Sequence, residues 1–293
     1  MTTDNTMAPT ERPASDFSLD NLERRALARQ RRRSSIVLTL RVAIFVIVIA
    51  LWELATGLGW IDPFFFGRPS GVARQIYEWM TEGTSQGSLW FQMWVTIEET
   101  VLGFLIGSVA GIVCGIALGR NRFLADVFSI YIKIANSIPR VVLGSIFIIS
   151  LGLGMASKVA LAVVMVFFVV FANAFQGVRE ADRAMIANAQ ILGASPWQLT
   201  TSVVIPSAMS WILASLHVSF GFALVGAVVG EFLGSKQGVG LLISTAQGAF
   251  NANGVFAAMI ILAVMALGAE YIITGIENRI VRWKPAALNE HGG

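Results

Sequence analysis

The sequence predicts an all-α membrane protein of about six transmembrane helices, with both termini cytoplasmic. Three observations predict it. Of 293 residues, 55% are hydrophobic and 13% charged, and the mean hydropathy is +0.70; a soluble domain carries about twice that charge fraction. Six apolar segments, at about 36–58, 94–118, 127–153, 157–177, 203–231 and 254–277, each approach the length a helix needs to cross the membrane, which is about 20 residues for ~30 Å of hydrocarbon. Basic residues fall unevenly between them. Arg24, Arg25, Arg29, Arg31, Arg32, Arg33 and Arg41 lie before or at the start of the first segment. With that end inside, the inner connections carry Arg120, Arg122, Arg179, Arg183, Arg279, Arg282 and Lys284, against Arg68, Arg74, Lys158 and Lys236 outside. The positive-inside rule explains this bias, and explains the arginine run more simply than a nucleic-acid site does.

Taken in order, residues 1–35 form a polar, basic cytoplasmic tail, expected to be largely disordered apart from a helical stretch near 19–33. No small-x-small cleavage site follows the apolar run, so 36–58 is expected to be an uncleaved first transmembrane helix. The outer loop 59–93 holds Trp60, Phe64, Phe65, Phe66, Trp79 and Trp90, aromatics suited to headgroup depth. Within it, 70–82 predicts a short interfacial helix with Val72, Ile76, Trp79 and Met80 on one side. A core of the remaining apolar segments occupies 94–284, and 285–293 is a tail. In the third segment Lys133, Asn136, Pro139 and Arg140 interrupt the apolar run, so it either starts as an interfacial helix or bends at Pro139.

The second segment carries Gly103, Gly107, Gly111, Gly115 and Gly119, a smooth stripe at spacing four. In lipid, close backbone approach drives helix association, so the stripe predicts packing within the chain or between subunits. Cys114 lies in the same run and suits packing. Glu231, near the outer end of the fifth segment, needs a partner or water at that depth. Arg140 and Lys133 are candidate partners; the alternatives are an ion pair or loop anchor and a solute-path lining. His217 is about 21 Å from Glu231 along a straight helix and cannot pair with it there. It suits a hydrogen-bonded interior histidine or a ligand. Glu53 and Glu270 lie nearer segment ends, where water reaches.

A semi-polar segment at about 179–202 separates two apolar runs. Gly193 is placed to stop one helix, and Ser195, Pro196 and Gln198 are placed to start another as N-cap, first helical residue and capping-box partner. Ala187, Ala189, Ile191 and Leu192, with Ala194 and Trp197 around the turn, are small or apolar and suit insertion into a protein groove. The plain alternative is a loop lying on the membrane.

This pattern resembles the cytoplasmic "EAA" loop of binding-protein-dependent ABC importer permeases: Glu-Ala-Ala, three residues, Gly, nine residues, Ile-x-Leu-Pro. Gly193 matches the glycine, Ala189 the second alanine, and Val204-Ile205-Pro206 falls near the Leu-Pro end. Ala187 stands at the usual glutamate and Asn188 at the first alanine, which removes any ion pair through that glutamate. Ile138-Pro139-Arg140, Leu151-Gly152-Leu153-Gly154 with Ser157-Lys158, Gly177-Val178-Arg179, Val229-Gly230-Glu231-Phe232 and Gly238-Val239-Gly240 follow in the order expected of the nitrate/sulfonate/taurine subfamily. The resemblance covers roughly 60–284. It implies a type I ABC importer permease bundle in the bacterial inner membrane that pairs with a second permease copy, two cytoplasmic ATPases and an extracytoplasmic solute-binding protein. ATP and Mg would then bind the ATPases, and no cofactor this chain. It adds Gly238 and Gly240 to Arg140, His217 and Glu231 as candidates for the solute path or its gate, and implies a small anion such as a sulfonate or nitrate as solute.

Enzymatic signatures are missing. Gly152-Leu-Gly-Met-Ala-Ser-Lys158 lacks the glycine before lysine that a Walker A loop needs. No HExxH, Gly-x-Ser-x-Gly or Cys/His metal spacing occurs, so neither catalytic residues nor a metal are expected. A stand-alone secondary transporter or channel, coupled to ions through intramembrane Glu231, Arg140 and His217, is the second reading. A membrane scaffold is the third.

Overall fold

The computed structural model describes residues 14–280 and is built from helices. It forms two units, one up to Ile61 and one from Asp62. The first holds a single helix, α1 (Ala14–Gly57), whose most apolar stretch has no residue buried within the chain. The polar lead from Ala14 to Ser35 is therefore helical and continuous with the first span. Residues 1–13 and 281–293, with Arg282, Lys284 and the tail 285–293, lie outside the described residues.

The second unit holds α2 (Pro63–Phe66), α3 (Pro69–Thr81), α4 (Leu89–Arg120), α5 (Arg122–Ser137), α6 (Arg140–Leu151) and α7 (Met155–Arg179). It continues with α8 (Arg183–Ile191), α9 (Pro196–Leu199), a π-helical turn (Thr200–Val204), α10 (Ile205–Leu233), α11 (Val239–Gly248) and α12 (Ala252–Ile280). Among the described residues five helices are long and apolar enough to cross a membrane, and a sixth span arises if α5 and α6 count as one. That pair bends by 85°. The break falls at Ile138-Pro139, because the residue before a proline disfavours helical geometry and the proline lacks an N–H.

The core is α4, α7 and α10. The glycine stripe of α4 faces α7: a side chain at Gly103, Gly107, Gly111, Gly115 or Gly119 would meet Ala162, Val166, Val170, Ala174 or Val178 in turn. Ala162 is fully buried and also abuts Gly226 of α10, so three backbones converge on one methyl group. Such contact supplies the dispersion energy that holds helices together without a hydrophobic driving force. Val166, Val170 and Ala223 continue this core, and Ala174, Val178, Val204, Ala208 and Ile212 close it at the α8–α9 end.

At the opposite end α3 does more than lie on an interface. Val72 is buried, Trp79 packs on the cluster of Leu89, Val239, Leu242 and Ile261, and Ile76 and Met80 line an apolar cleft with Met93 and Val264. Asn253 at the start of α12 accepts from the Arg68 N–H at 2.9 Å, and Asn251 Nδ2 donates to Gln75 at 3.0 Å, tying the loop to the bundle.

Candidate functional site

Two places combine unusual chemistry with defined geometry, one at each end of the bundle. The first is a buried polar clasp. On α4, Gln92, Thr96, Glu99 and Thr100 share the face that becomes the glycine stripe, and all four are buried. They meet Lys158 of α7 and Glu231 of α10, both fully buried. The target of this cluster is the start of α11. Gly238 N–H donates to Gln92 Oε1 at 2.7 Å, Val239 N–H to Thr96 Oγ1 at 2.9 Å, and Gly240 N–H to Glu231 Oε2 at 2.7 Å. Thr96 Oγ1 donates in turn to Glu231 Oε1 at 2.7 Å. The first N–H groups of a helix have no partner within it; here three of them are taken by side chains from two other helices.

Glycine is required at this contact. Gly238 has φ +105°, and a side chain there would overlap the Glu231 carboxylate. At Gly240 it would overlap the backbone at Val228. The sequence Val-Gly-Glu followed by Gly-Val-Gly is thus one object, a carboxylate and the glycine loop it grips. Lys158 Nζ donates to the carbonyls of Leu153 at 2.7 Å and Gly154 at 3.2 Å, and Glu99 and Glu231 are buried in the same cluster. One Glu99 oxygen, Oε2, has no hydrogen-bond partner among the described residues.

These contacts revise one expectation and add to another. Glu231 is held by Thr96 and Gly240, whereas Lys133 is exposed and the Arg140 guanidinium lies 5.1 Å from the Phe168 ring centroid. Glu270, expected to be wetted near a segment end, has a 61% exposed side chain and also bonds His217 at 2.9 Å between α10 and α12. Gln92, Thr96, Glu99 and Lys158 were not singled out as site residues. Their signal was available: positions 92, 96, 99 and 100 repeat at helical spacing and lead into the glycines at 103 and 107.

The second place is the α8–α9 hairpin. Asp182 caps α8 by accepting from Ala184 N–H at 2.7 Å. The helix ends in a Schellman motif, with Ala194 N–H donating to Ala189 O and Gly193 N–H to Gln190 O, both at 3.0 Å. Gly193 takes φ +83°, the left-handed conformation this motif needs. Ser195 and Gln198 form the full capping box of α9, with Pro196 in its first turn. Pro206 has no N–H to give the preceding turn, and the chain passes it through the π-helical turn into α10.

The hairpin is rooted by Ile186 against the α7–α10 core. Its tip is apolar and uncovered: Ile191 is 83% exposed, Leu192 87% and Trp197 71%. Ala187 is also exposed, and Ala189 and Ala194 are half-buried. Isolated exposed apolar residues are ordinary, but three large ones on a capped, rigid turn form a contact surface. Among the described residues no three His, Cys, Asp or Glu side chains gather as a metal site would require.

Comparison with known proteins bears on the family of the chain. Residues 107–282 match the family model of the binding-protein-dependent transport system inner membrane component. The chain is 31% identical over 240 residues to the riboflavin transport system permease protein RibX of Chloroflexus aurantiacus, covering 82% of this chain and 88% of the relative. It is 28% identical over 238 residues to the putative aliphatic sulfonates transport permease protein SsuC of Bacillus subtilis, covering 81% and 85%. Among solved structures, an inward-facing conformation of the MetNI methionine ABC transporter superposes with a TM-score of 0.57 at 20% identity, over 66% of this chain and 96% of that one, a likeness of fold. The matched region takes in Gly107–Gly119 of the stripe, Lys158, Glu231 and the glycines of α11, and the capped hairpin, and the chain belongs to the family of binding-protein-dependent transport inner membrane components, as a multi-pass permease subunit of an ABC importer.

Proposed function

We propose that the α8–α9 hairpin is the docking element for a separate cytoplasmic ATPase, and that ATP-driven motion of that partner opens and closes the solute path. The observation that carries this reading is the exposed tip of Ile191, Leu192 and Trp197 on a hairpin capped at both of its helices. A flexible link would transmit nothing; a Schellman turn followed by a capping box transmits displacement. Because α9 runs through the π-helical turn into α10, a push on the tip acts directly on a core span. Coupling of this kind needs a rigid element with two arrangements. The chain has no phosphate-binding loop of its own, which is why the ATP, with Mg, is assigned to the partner.

A second permease copy is the natural neighbour of the α10–α12 face. His217 and Glu270 sit there with side chains 32% and 61% exposed, His217 in the middle of α10 and Glu270 within the span of α12. A carboxylate facing hydrocarbon is costly, so this face meets protein or a water-filled path. The solute passes along such a face, delivered by an extracytoplasmic binding protein, in a bacterial inner membrane. The names of the relatives point to small organic solutes, among them sulfonates and riboflavin, and an anion such as a sulfonate suits the Arg140 guanidinium at the α5–α6 bend. In this reading Glu231, Gly238 and Gly240 gate the path by holding α11, and Arg140 and His217 are its contacts.

The test is reconstitution of the chain with its ATPase and binding protein in liposomes. Uptake is expected to require ATP and the binding protein, with no uptake driven by a proton or sodium gradient alone. Gradient-driven uptake by the chain without an ATPase would overturn the reading.

A further inference from the structure

The hairpin does not lie flush on the bundle. Between it and the ends of α4 and α7 lies a cavity of about 390 Å³. That is within the size range of small-ligand sites, roughly 300–1,000 Å³. Arg120, the last residue of α4, and Arg179, the last of α7, both line it, facing Gln190 and Pro196 of the hairpin. Among the described residues no Asp or Glu lines it.

The two guanidinium groups are weakly engaged. Arg120 Nη2 reaches the Pro196 carbonyl at 3.5 Å, long for a charged donor. Arg179 Cζ stands 5.5 Å from the Phe175 ring centroid. Among the described residues neither forms an ion pair with a carboxylate. The acidic residues next to Arg179 in sequence are occupied elsewhere: Glu180 accepts from Gln176 Nε2 at 2.8 Å, and Asp182 caps α8. Two cations from separate helices, converging on a cavity without a counter-charge, match an anion with several acceptor oxygens.

Position selects the anion. Arg120 and Arg179 are the last residues of two helices long and apolar enough to cross a membrane, so the cavity lies at the ends of two candidate spans. The rest of the wall is divided: Gln190 and Thr200 are polar, and Val178, Ile186, Leu199 and Val204 form an apolar part. A phosphate with an acyl-bearing glycerol fits this division; free phosphate shares only the charged half. We propose that the cavity binds the phosphodiester headgroup of an anionic lipid, clamped by Arg120 and Arg179. Because one wall is the hairpin, the bound headgroup sets the hairpin's angle to the bundle. That consequence rests on the docking reading above; the binding does not.

The experiment is native mass spectrometry of the full chain in mild detergent, supplied with phosphatidylglycerol and phosphatidylcholine. Wild type is expected to retain phosphatidylglycerol preferentially. Arg120→Ala with Arg179→Ala should lower that preference at least about tenfold, since each basic residue near a membrane contributes appreciably to anionic-lipid binding. Arg120→Lys with Arg179→Lys should keep most of it, and Arg68→Ala with Arg74→Ala, at the other end, should keep all of it. If the double alanine variant does not fold, exposed Arg120→Ala alone carries the test, with about a fivefold loss expected. An unchanged preference in a folded alanine variant would overturn the site. Displacement of the lipid by millimolar inorganic phosphate would overturn the lipid assignment and leave a free-anion site. No uptake is measured, so failure of the motor reading leaves this result standing.

Discussion

The clasp and the hairpin invert the usual rule of burial in opposite senses. At one end of the bundle Gln92, Thr96, Glu99, Lys158 and Glu231 are polar or charged and buried; at the other Ile191, Leu192 and Trp197 are large, apolar and exposed. The clasp spends its hydrogen bonds inward, on the first N–H groups of α11. The hairpin spends its own on caps and turns, and leaves its apolar tip for something else. A buried polar network that serves the backbone is architecture, and an exposed apolar tip on a stiff support suits the docking role proposed above. The contrast predicts that mutations in the clasp damage stability first and those in the hairpin damage function first.

The largest effect is expected for Glu231→Ala. It removes the acceptor of Gly240 N–H and of Thr96, and leaves Lys158 with less buried counter-charge. Breaking a buried charged network by removing one partner costs about 3–5 kcal/mol, readable as a lower melting temperature and poorer recovery in detergent. A smaller loss, about 1–3 kcal/mol, follows for Gly111→Leu, which drives a side chain into Val170 and the α7 backbone; unfolding of the purified chain measures it. Gly193→Asp should cost least. Its position is exposed with open space around it, and Asp tolerates the left-handed region better than most residues. Membrane insertion and melting temperature should be near wild type while ATP hydrolysis no longer drives uptake. Normal uptake by that variant, at normal expression, would remove the functional half of the contrast.

How much of this was legible in the sequence depends on whether the physics was local. The hairpin was legible in detail, because a glycine stop and a Ser-Pro-x-Gln capping box act within a few residues of themselves. The bend at Pro139 and the glycine stripe were legible for the same reason, although the stripe could not name α7 as its neighbour. The clasp was only half legible. Glu231 was conspicuous, but its partners lie on other helices, and Gly240 at nine residues' remove is reached only because the chain folds back into α11. That helix is ten residues long, too short to stand out as an apolar run. Lys158 looked like an outer-loop charge because it sits at a segment edge, and only the carbonyls of Leu153 and Gly154 explain its burial. His217 and Glu270 are 53 residues apart, and nothing short of the packed α10–α12 pair could join them.

The most direct measurement is site-specific crosslinking from Leu192 and Trp197 in membranes that actively take up solute. The account predicts that both positions capture an ATP-binding subunit, and that Gly193→Asp reduces the yield. Transport-competent membranes in which neither position ever reaches such a subunit would contradict it.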